Sequence, residues 1–216
     1  EMGMLMPKPD AGVISRRREI ADALRAIVPG EGVIDGEDEI RAFECDGLMA
    51  YRQLPMLVVL PETTRQVSEI LAYCHRHDIK IVPRGAGTGL SGGALPLADA
   101  VTIGVSKFNR ILDIDFENRA VVTQPGVTNL GITQAVEHAG FYYAPDPSSQ
   151  IACSIGGNIA ENSGGVHSLK YGLTTNNVLG VEMVLMNGDV IRLGGKHLDA
   201  GGLDLLGVIT GSEGLL

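Results

Sequence analysis

Two glycine-rich stretches hold the residues of this 216-residue chain that could do chemistry. The first, PRGAGTGLSGG from Pro83 to Gly93, has glycine at five of its eleven positions and directly follows the apolar run Ile79 to Val82. Glycine lacks a Cβ, so such a loop can bring its backbone N–H groups close to a ligand, and several converging N–H groups cradle an anion. The pattern predicts a phosphate-binding loop. The second stretch, PDPSSQIACSIGGNIAENSGG from Pro145 to Gly165, mixes glycines with the hydrogen-bonding side chains of Asp146, Ser148, Ser149, Ser154, Asn158 and Asn162. Two such loops, well separated in the chain, predict one extended ligand lying between two lobes. A diphosphate-linked nucleotide fits.

Gly87, Gly89 and Gly92 satisfy the G-x-G-x-x-G spacing of a dinucleotide fingerprint, with Asp113 as the acidic residue downstream. The surroundings argue against that motif. A Rossmann loop opens a helix that crosses back to a parallel strand, a connection of at least about ten to twelve residues. Here Gly92, Gly93 and Pro96 interrupt any helix, and the apolar run Val101 to Val105 begins too soon.

The elements that must position these loops can be read coarsely. Residues 15–28 predict an amphipathic helix with Ile20, Leu24, Ile27 and Val28 on one side, and residues 38–44 a short second one. Leu57 to Leu60 reads as a strand. A helix capped by Thr63 or Thr64 follows, with Val67, Ile70, Leu71 and Cys74 at helical spacing, and then the strand Ile79 to Val82. Leu57 to Val82 is thus expected to form one βαβ unit that delivers the first loop at a strand's carboxyl end, where α/β ligands commonly sit. Strands are predicted at Val101 to Val105, Ile111 to Ile114 and Ala120 to Thr123, and a helix from Asn129 to Ala139, capped by Thr128 and stopped by Gly140. Asn187 and Gly188 between two strand-like runs predict a hairpin.

Composition excludes several functions. The net charge of -9 opposes a nucleic-acid surface, and Arg16, Arg17 and Arg18 read as a solvated helix face. No apolar run approaches the roughly twenty residues that span a bilayer, and no signal-type segment opens the chain, so a cytoplasmic protein is expected. Cys45, Cys74 and Cys153 are odd in number, widely spaced and without a C-x-x-C pair, which predicts neither a cysteine zinc site nor a disulfide framework. Cys153 reads as a small buried thiol, with a ligand-facing role as the alternative. His75 and His77, two apart in a helix, point about 200° away from each other and cannot share a metal. No metal site is predicted.

The combination of PRGAGTGLSGG, QPGV at Gln124 to Val127, PDPSS with SIGGNIAENSGG, KYG at Lys170 to Gly172 and GSEG at Gly211 to Gly214 resembles the FAD-binding domain of the vanillyl-alcohol oxidase/p-cresol methylhydroxylase superfamily. Within it, the chain is most similar to the FAD-linked 2-hydroxyacid dehydrogenases of glycolate oxidase and D-lactate type. The resemblance runs from about Leu57 to the last residue, with the motifs in family order.

The resemblance implies an α+β fold: a two-subdomain PCMH-type FAD-binding fold with a βαβ N-terminal lobe and a mixed or antiparallel second lobe. It implies an N-terminal helical segment at 1–56 and an FAD-binding domain at 57–216, with subdomains at about 57–115 and 116–216. By motif position, the backbone of Arg84, Gly85, Ala86, Gly87, Thr88, Gly89, Leu90 and Ser91 would hold the pyrophosphate. The Arg84 side chain would either add charge there or serve as a structural ion-pair partner. Pro145, Asp146, Ser149, Ser154, Gly156, Gly157, Asn158 and Ala160 would line the flavin and the rest of the cofactor, and Asn162, Gly164 and Gly165 would complete the wall or shape the turn. Some family members tether FAD through a histidine after the paired glycines of the first loop. Ala94 stands at that place, so non-covalent FAD is expected.

The implied chemistry moves a hydride from Cα of a small 2-hydroxy acid to flavin N5, with the hydroxyl proton passing to a base and a 2-oxo acid as product. His167 and Lys170 are the titratable residues nearest the second cluster in sequence, each with a loop-anchoring role as its alternative. The chain stops inside the GSEG region, where relatives continue into a substrate domain, so a truncated enzyme inactive alone is expected. Flavoprotein-like and iron–sulfur partner subunits are implied by resemblance alone. The alternatives are another oxidoreductase or an ether-lipid synthase of the superfamily, or a non-enzymatic nucleotide-binding module.

Overall fold

A computed structural model describes residues 6–197 and 201–216. The chain starts with helices α1 (Ala11–Ser15) and α2 (Arg17–Ile27), then a short strand β1 (Val33–Ile34) and a helical turn α3 (Glu37–Ile40). The helix predicted over 15–28 is α2, and a separate short helix that the sequence reading did not include, α1, precedes it, started by the Asp10 carboxylate, which accepts from the Gly12 and Val13 amides. Strand β2 (Leu57–Val59), helix α4 (Thr64–Arg76), strand β3 (Lys80–Arg84) and strand β4 (Ala100–Gly104) complete the first lobe. Thr63 is the cap of α4, its hydroxyl accepting from the Gln66 amide.

The sheet order is β1-β2-β4-β3, with β4 parallel to both neighbours and β1 antiparallel to β2. The predicted βαβ unit is present with one difference: β4 inserts between β2 and β3, so the two strands of the unit do not pair. α2 and α4 bury Ile20, Leu24, Ile70, Leu71 and Cys74 against Leu57, Val59, Val101 and Ile103 on one face of the sheet. The alternate residues Val58 and Leu60 face the other way and pack with Ile40, Phe43 and Leu54. The segment after α3 thus covers the sheet's second face.

The second lobe holds an antiparallel pair, β5 (Ile111–Asp115) with β6 (Ala120–Thr123), and helix α5 (Asn129–Val136), capped by Thr128. A 3-10 turn then ends at Gly140, whose φ of 80° is left-handed, as its stop role predicted. Helix α6 (Ile155–Glu161), helix α7 (Ser168–Tyr171), the hairpin β7 (Gly180–Val184) with β8 (Val190–Gly194), and helix α8 (Leu205–Ile209) follow. The predicted Asn187-Gly188 hairpin is present. It docks back on the first lobe, where the Thr64 hydroxyl donates to Glu182 at 2.7 Å and the Ser68 hydroxyl to the Gly188 carbonyl at 2.5 Å. Among the described residues no helix is long and apolar enough to cross a membrane.

Candidate functional site

The first glycine loop leaves β3 at Arg84 and forms no helix, as its glycines and Pro96 predicted. Gly87 and Gly92 adopt φ of 72° and 83°, a region that side chains with a Cβ avoid. The glycines face the protein. A Cβ on Gly85 would lie 2.3 Å from Ser154 Oγ, one on Gly87 would lie 2.2 Å from Arg84 Nη2, and one on Gly89 would lie 3.1 Å from Glu161 Oε1. Ala86, Thr88 and Leu90 alternate with them and are exposed. Among the described residues, no backbone N–H from Gly85 to Ala94 donates to another protein group. The loop therefore offers a run of free donors on an accessible surface.

The second cluster differs from its reading as a loop, because Ile155 to Glu161 is helix α6. Its Ser154 cap accepts from the Gly157 amide at 3.2 Å, and Asn162 ends it in the left-handed conformation with φ of 52°. The first loop runs along this helix. Gly85 abuts Ser154 and Gly157 at its start, and the Ser91 hydroxyl donates to Glu161 at its end, 3.3 Å away. The two predicted clusters thus meet, Arg84 to Ser91 on one side and Ser154 to Ala160 on the other.

Tertiary contacts hold α6. Asn129 on α5 is 1% exposed and donates to the Pro145 carbonyl at 2.9 Å and to Asn158 Oδ1 at 2.8 Å. Asn158, buried beside it, donates onward to Cys153 Sγ at 3.2 Å, so its carboxamide is committed to the protein. Cys153 is buried, in keeping with its space-filling reading. Gly156 lies where a Cβ would be 2.8 Å from Pro125 of the QPGV run, and its amide donates to the Pro125 carbonyl. The GSEG run closes the far end: the Gly211 and Glu213 amides donate to the Ile159 and Ala160 carbonyls, each at 2.8 Å.

The PDPSS turn is tied to Gly165 and His167. Asp146 Oδ2 lies 2.7 Å from His167 Nδ1, and Oδ1 accepts from the His167 amide at 3.3 Å. A Cβ on Gly165 would stand 1.9 Å from the Asp146 carbonyl, and one on Gly164 would stand 2.4 Å from Leu173. Ser149 anchors the rest of the turn, its carbonyl accepting from Ala152 and Cys153. Asn162 Oδ1 accepts from the Thr175 amide. Beyond His167, Tyr142 and Tyr171 meet edge to face, with ring centroids 6.0 Å apart. The Tyr142 hydroxyl and the nearby Lys170 hold the Tyr171 phenol below its ordinary range, while Tyr171 pushes Tyr142 up. Lys170 lies over the Tyr171 ring at 4.9 Å.

Among the described residues Arg84 forms no ion pair, the second of its two predicted roles. Its guanidinium turns into the protein and donates to the Cys45 carbonyl at 2.8 Å and the Ala94 carbonyl at 3.4 Å. Burial pushes its pKa down, opposed by Cys45 and Asp46. Sequence reasoning missed Asn129, Glu161, Gly47 and Glu213. Glu161 and Glu213 carried a signal, their places in the SIGGNIAENSGG and GSEG runs.

The profile of an FAD binding domain matches residues 55–194. The glycolate oxidase subunit GlcD of Escherichia coli (strain K12) is 56% identical over 200 residues, covering 93% of this chain and 40% of that relative. A D-lactate dehydrogenase of Anaerostipes hadrus is 34% identical over 200 residues, covering 92% of this chain and 42% of its own length. The chain therefore spans about two fifths of these curated relatives. The crystal structure of p-cresol methylhydroxylase with substrate bound superposes with a TM-score of 0.74 at 22% identity, over 95% of this chain and 42% of that one. The fold is the two-subdomain α+β fold of that protein.

Proposed function

The chain belongs to the FAD binding domain family, and on that premise we propose that it is the FAD-binding portion of a flavin-dependent 2-hydroxyacid dehydrogenase or oxidase of the glycolate or D-lactate type. The observation that carries this reading is the 56% identity to a glycolate oxidase subunit over 93% of the chain, a span that takes in both glycine clusters. The residues fit the cofactor. An FAD pyrophosphate carries two negative charges, and a protein of net charge -9 must meet them locally with N–H dipoles. The free amides of Gly85 to Ser91 supply such a set.

Bound FAD supplies a hydride acceptor at its N5. The chain's own residues bind and orient it: the first loop takes the pyrophosphate, and Pro145, Asp146, Ser149, Ser154, Gly156, Gly157, Asn158 and Ala160, with Asn162, Gly164 and Gly165, form the wall along α6. Asp146 orients the His167 imidazole through its 2.7 Å contact with Nδ1. Residues 57–216 carry the motifs of the domain, and the segment 1–56 adds α2 and β1 to the core and sheet of its first lobe. The whole protein is cytoplasmic, acts on a small 2-hydroxy acid and passes electrons to flavoprotein-like and iron–sulfur partners.

Full-length protein is screened against 2-hydroxy acids with an artificial electron acceptor. Bleaching of the oxidised-flavin band by glycolate or D-lactate is expected. A purified protein that carries flavin, yet is bleached by no 2-hydroxy acid, refutes the substrate class.

A further inference from the structure

Arg84 joins three parts of the molecule that are distant in sequence. It donates to the Cys45 carbonyl at 2.8 Å and to the Ala94 carbonyl at the far end of the glycine loop, its guanidinium carbon lies 5.5 Å from the centre of the Phe43 ring, and Gly87 passes directly over it. A second contact runs in parallel. A Cβ on Gly47 would lie 2.8 Å from the Thr88 carbonyl oxygen and 2.6 Å from that of Gly89, so both oxygens face the Gly47 backbone. The segment that supplies these contacts is itself closed, by the Gln53 amide on the Glu44 carbonyl at 2.8 Å and by Arg52 on the Glu44 carboxylate at 3.0 Å. Phe43 to Leu48 lies before the residues matched by the domain family, 55–194.

The direction of those carbonyls matters. In a trans peptide the C=O of one residue and the N–H of the next point opposite ways. With the Thr88 and Gly89 oxygens turned toward Gly47, the Gly89 and Leu90 N–H groups point away from it, to the side where no protein group accepts them. We propose that Arg84 is a positioning residue: it clamps Phe43 to Leu48 against the first glycine loop, turns the loop's carbonyls inward and so presents its N–H groups to the FAD pyrophosphate. The segment is the third wall of the cofactor site. This rests on the reading of the loop as the pyrophosphate site. A direct phosphate contact by Arg84 is the competing role.

The test is amide hydrogen exchange on full-length protein, apo and FAD-loaded, for wild type, Arg84→Met and Gly47→Val. Gly47→Val presses on the same junction without altering charge. In apoprotein both variants are expected to speed exchange in 43–48 and 85–94 together by roughly tenfold or more, the scale of a lost charge-assisted hydrogen bond, while the β7–β8 ladder keeps its wild-type rate and reports a retained fold. FAD affinity should fall by similar factors in both. If Arg84→Met leaves 43–48 at the wild-type rate and only weakens FAD, Arg84 touches phosphate and the proposal is overturned. Wild type that takes up no FAD overturns the cofactor reading alone, because the apoprotein exchange still decides the clamp.

Discussion

Replacing Asn129 tests whether the second cluster is held by a buried amide network. The side chain spans α5, the PDPSS turn and α6, with both N–H bonds made to acceptors at 2.8–2.9 Å. Asn129→Ala leaves the Pro145 carbonyl and Asn158 Oδ1 buried without that donor, and an orphaned acceptor costs about 1–3 kcal/mol. The sum, partly relieved by the weak Cys153 thiol contact to Asn158 Oδ1, is about 2–4 kcal/mol. At roughly 2–4 °C per kcal/mol for a domain of this size, Tm falls by about 5–15 °C. Asn129→Asp keeps the shape but sets a carboxylate against two acceptors, so it is expected to cost more than alanine does. In the double variant Asn129→Ala/Asn158→Ala one orphan disappears, and the cost should undershoot the sum of the single changes by about 1–2 kcal/mol. Urea unfolding of the apoprotein, followed by circular dichroism, measures all four. An aspartate variant within about 1 kcal/mol of wild type at neutral pH refutes the network, because the buried carboxyl must either stay charged against two acceptors or take up a proton far above its ordinary pKa, and either costs more than that.

Gly85→Ala drives a Cβ to within 2.3 Å of Ser154 Oγ. Either the clash persists or the serine gives up its cap on Gly157, so stability should fall by about 1–3 kcal/mol, and Ser154→Ala in the same chain should recover part of it in a thermal melt. Asp99, 3% exposed at its side chain, accepts from Lys80 at 2.7 Å and from the Asp10 amide at 2.8 Å. Burial pushes its carboxyl up, but these partners outweigh it and the group sits below its ordinary value. A depressed folded pKa adds stability above the unfolded value, near 4, and that stability is lost as pH falls through the folded value. Asp99→Asn is therefore expected to cost about 1 kcal/mol near neutrality, since Lys80 is half-exposed, and nothing once both forms are neutral; a cost independent of pH contradicts this. With Ala94 where a tethering histidine stands in some family members, acid precipitation of holoprotein should leave the flavin in the supernatant, and yellow pellets would show a covalent link.

Local chemistry made several elements legible before the structure. Thr63, one of the two threonines expected to cap α4, and Thr128 cap their helices, Gly140 stops its helix, and Gly92, Gly93 and Pro96 keep the first loop free of helix. What stayed hidden depended on distant partners. Nothing near β4 announces that it slides between β2 and β3. Two glycines among the seven residues of α6 argue against a helix at about 1 kcal/mol each. The helix exists because Ser154 caps it, Asn129 holds Asn158, and the Gly211 and Glu213 amides cover its last carbonyls. Of these, only Ser154 is a local signal.

The glycines of the first loop carry a different meaning in the fold from the one their sequence suggests. Read alone, a missing Cβ makes room for a ligand. In the molecule, Gly85, Gly87 and Gly89 each make room for the protein's own atoms: a serine hydroxyl, a guanidinium and a carboxylate. Glu161 and Glu213 both stand within 4 Å of where a Cβ on Gly93 would lie, so the protein side of the loop's end is acidic. Side-chain charge at that end opposes a bound anion. Any affinity for a pyrophosphate must then come from the outward N–H groups, and their direction is set by how tightly the loop is drawn against its neighbours. A substitution that leaves every exposed residue of the loop intact, and only loosens its inner face, should therefore weaken FAD binding as much as one on the exposed face.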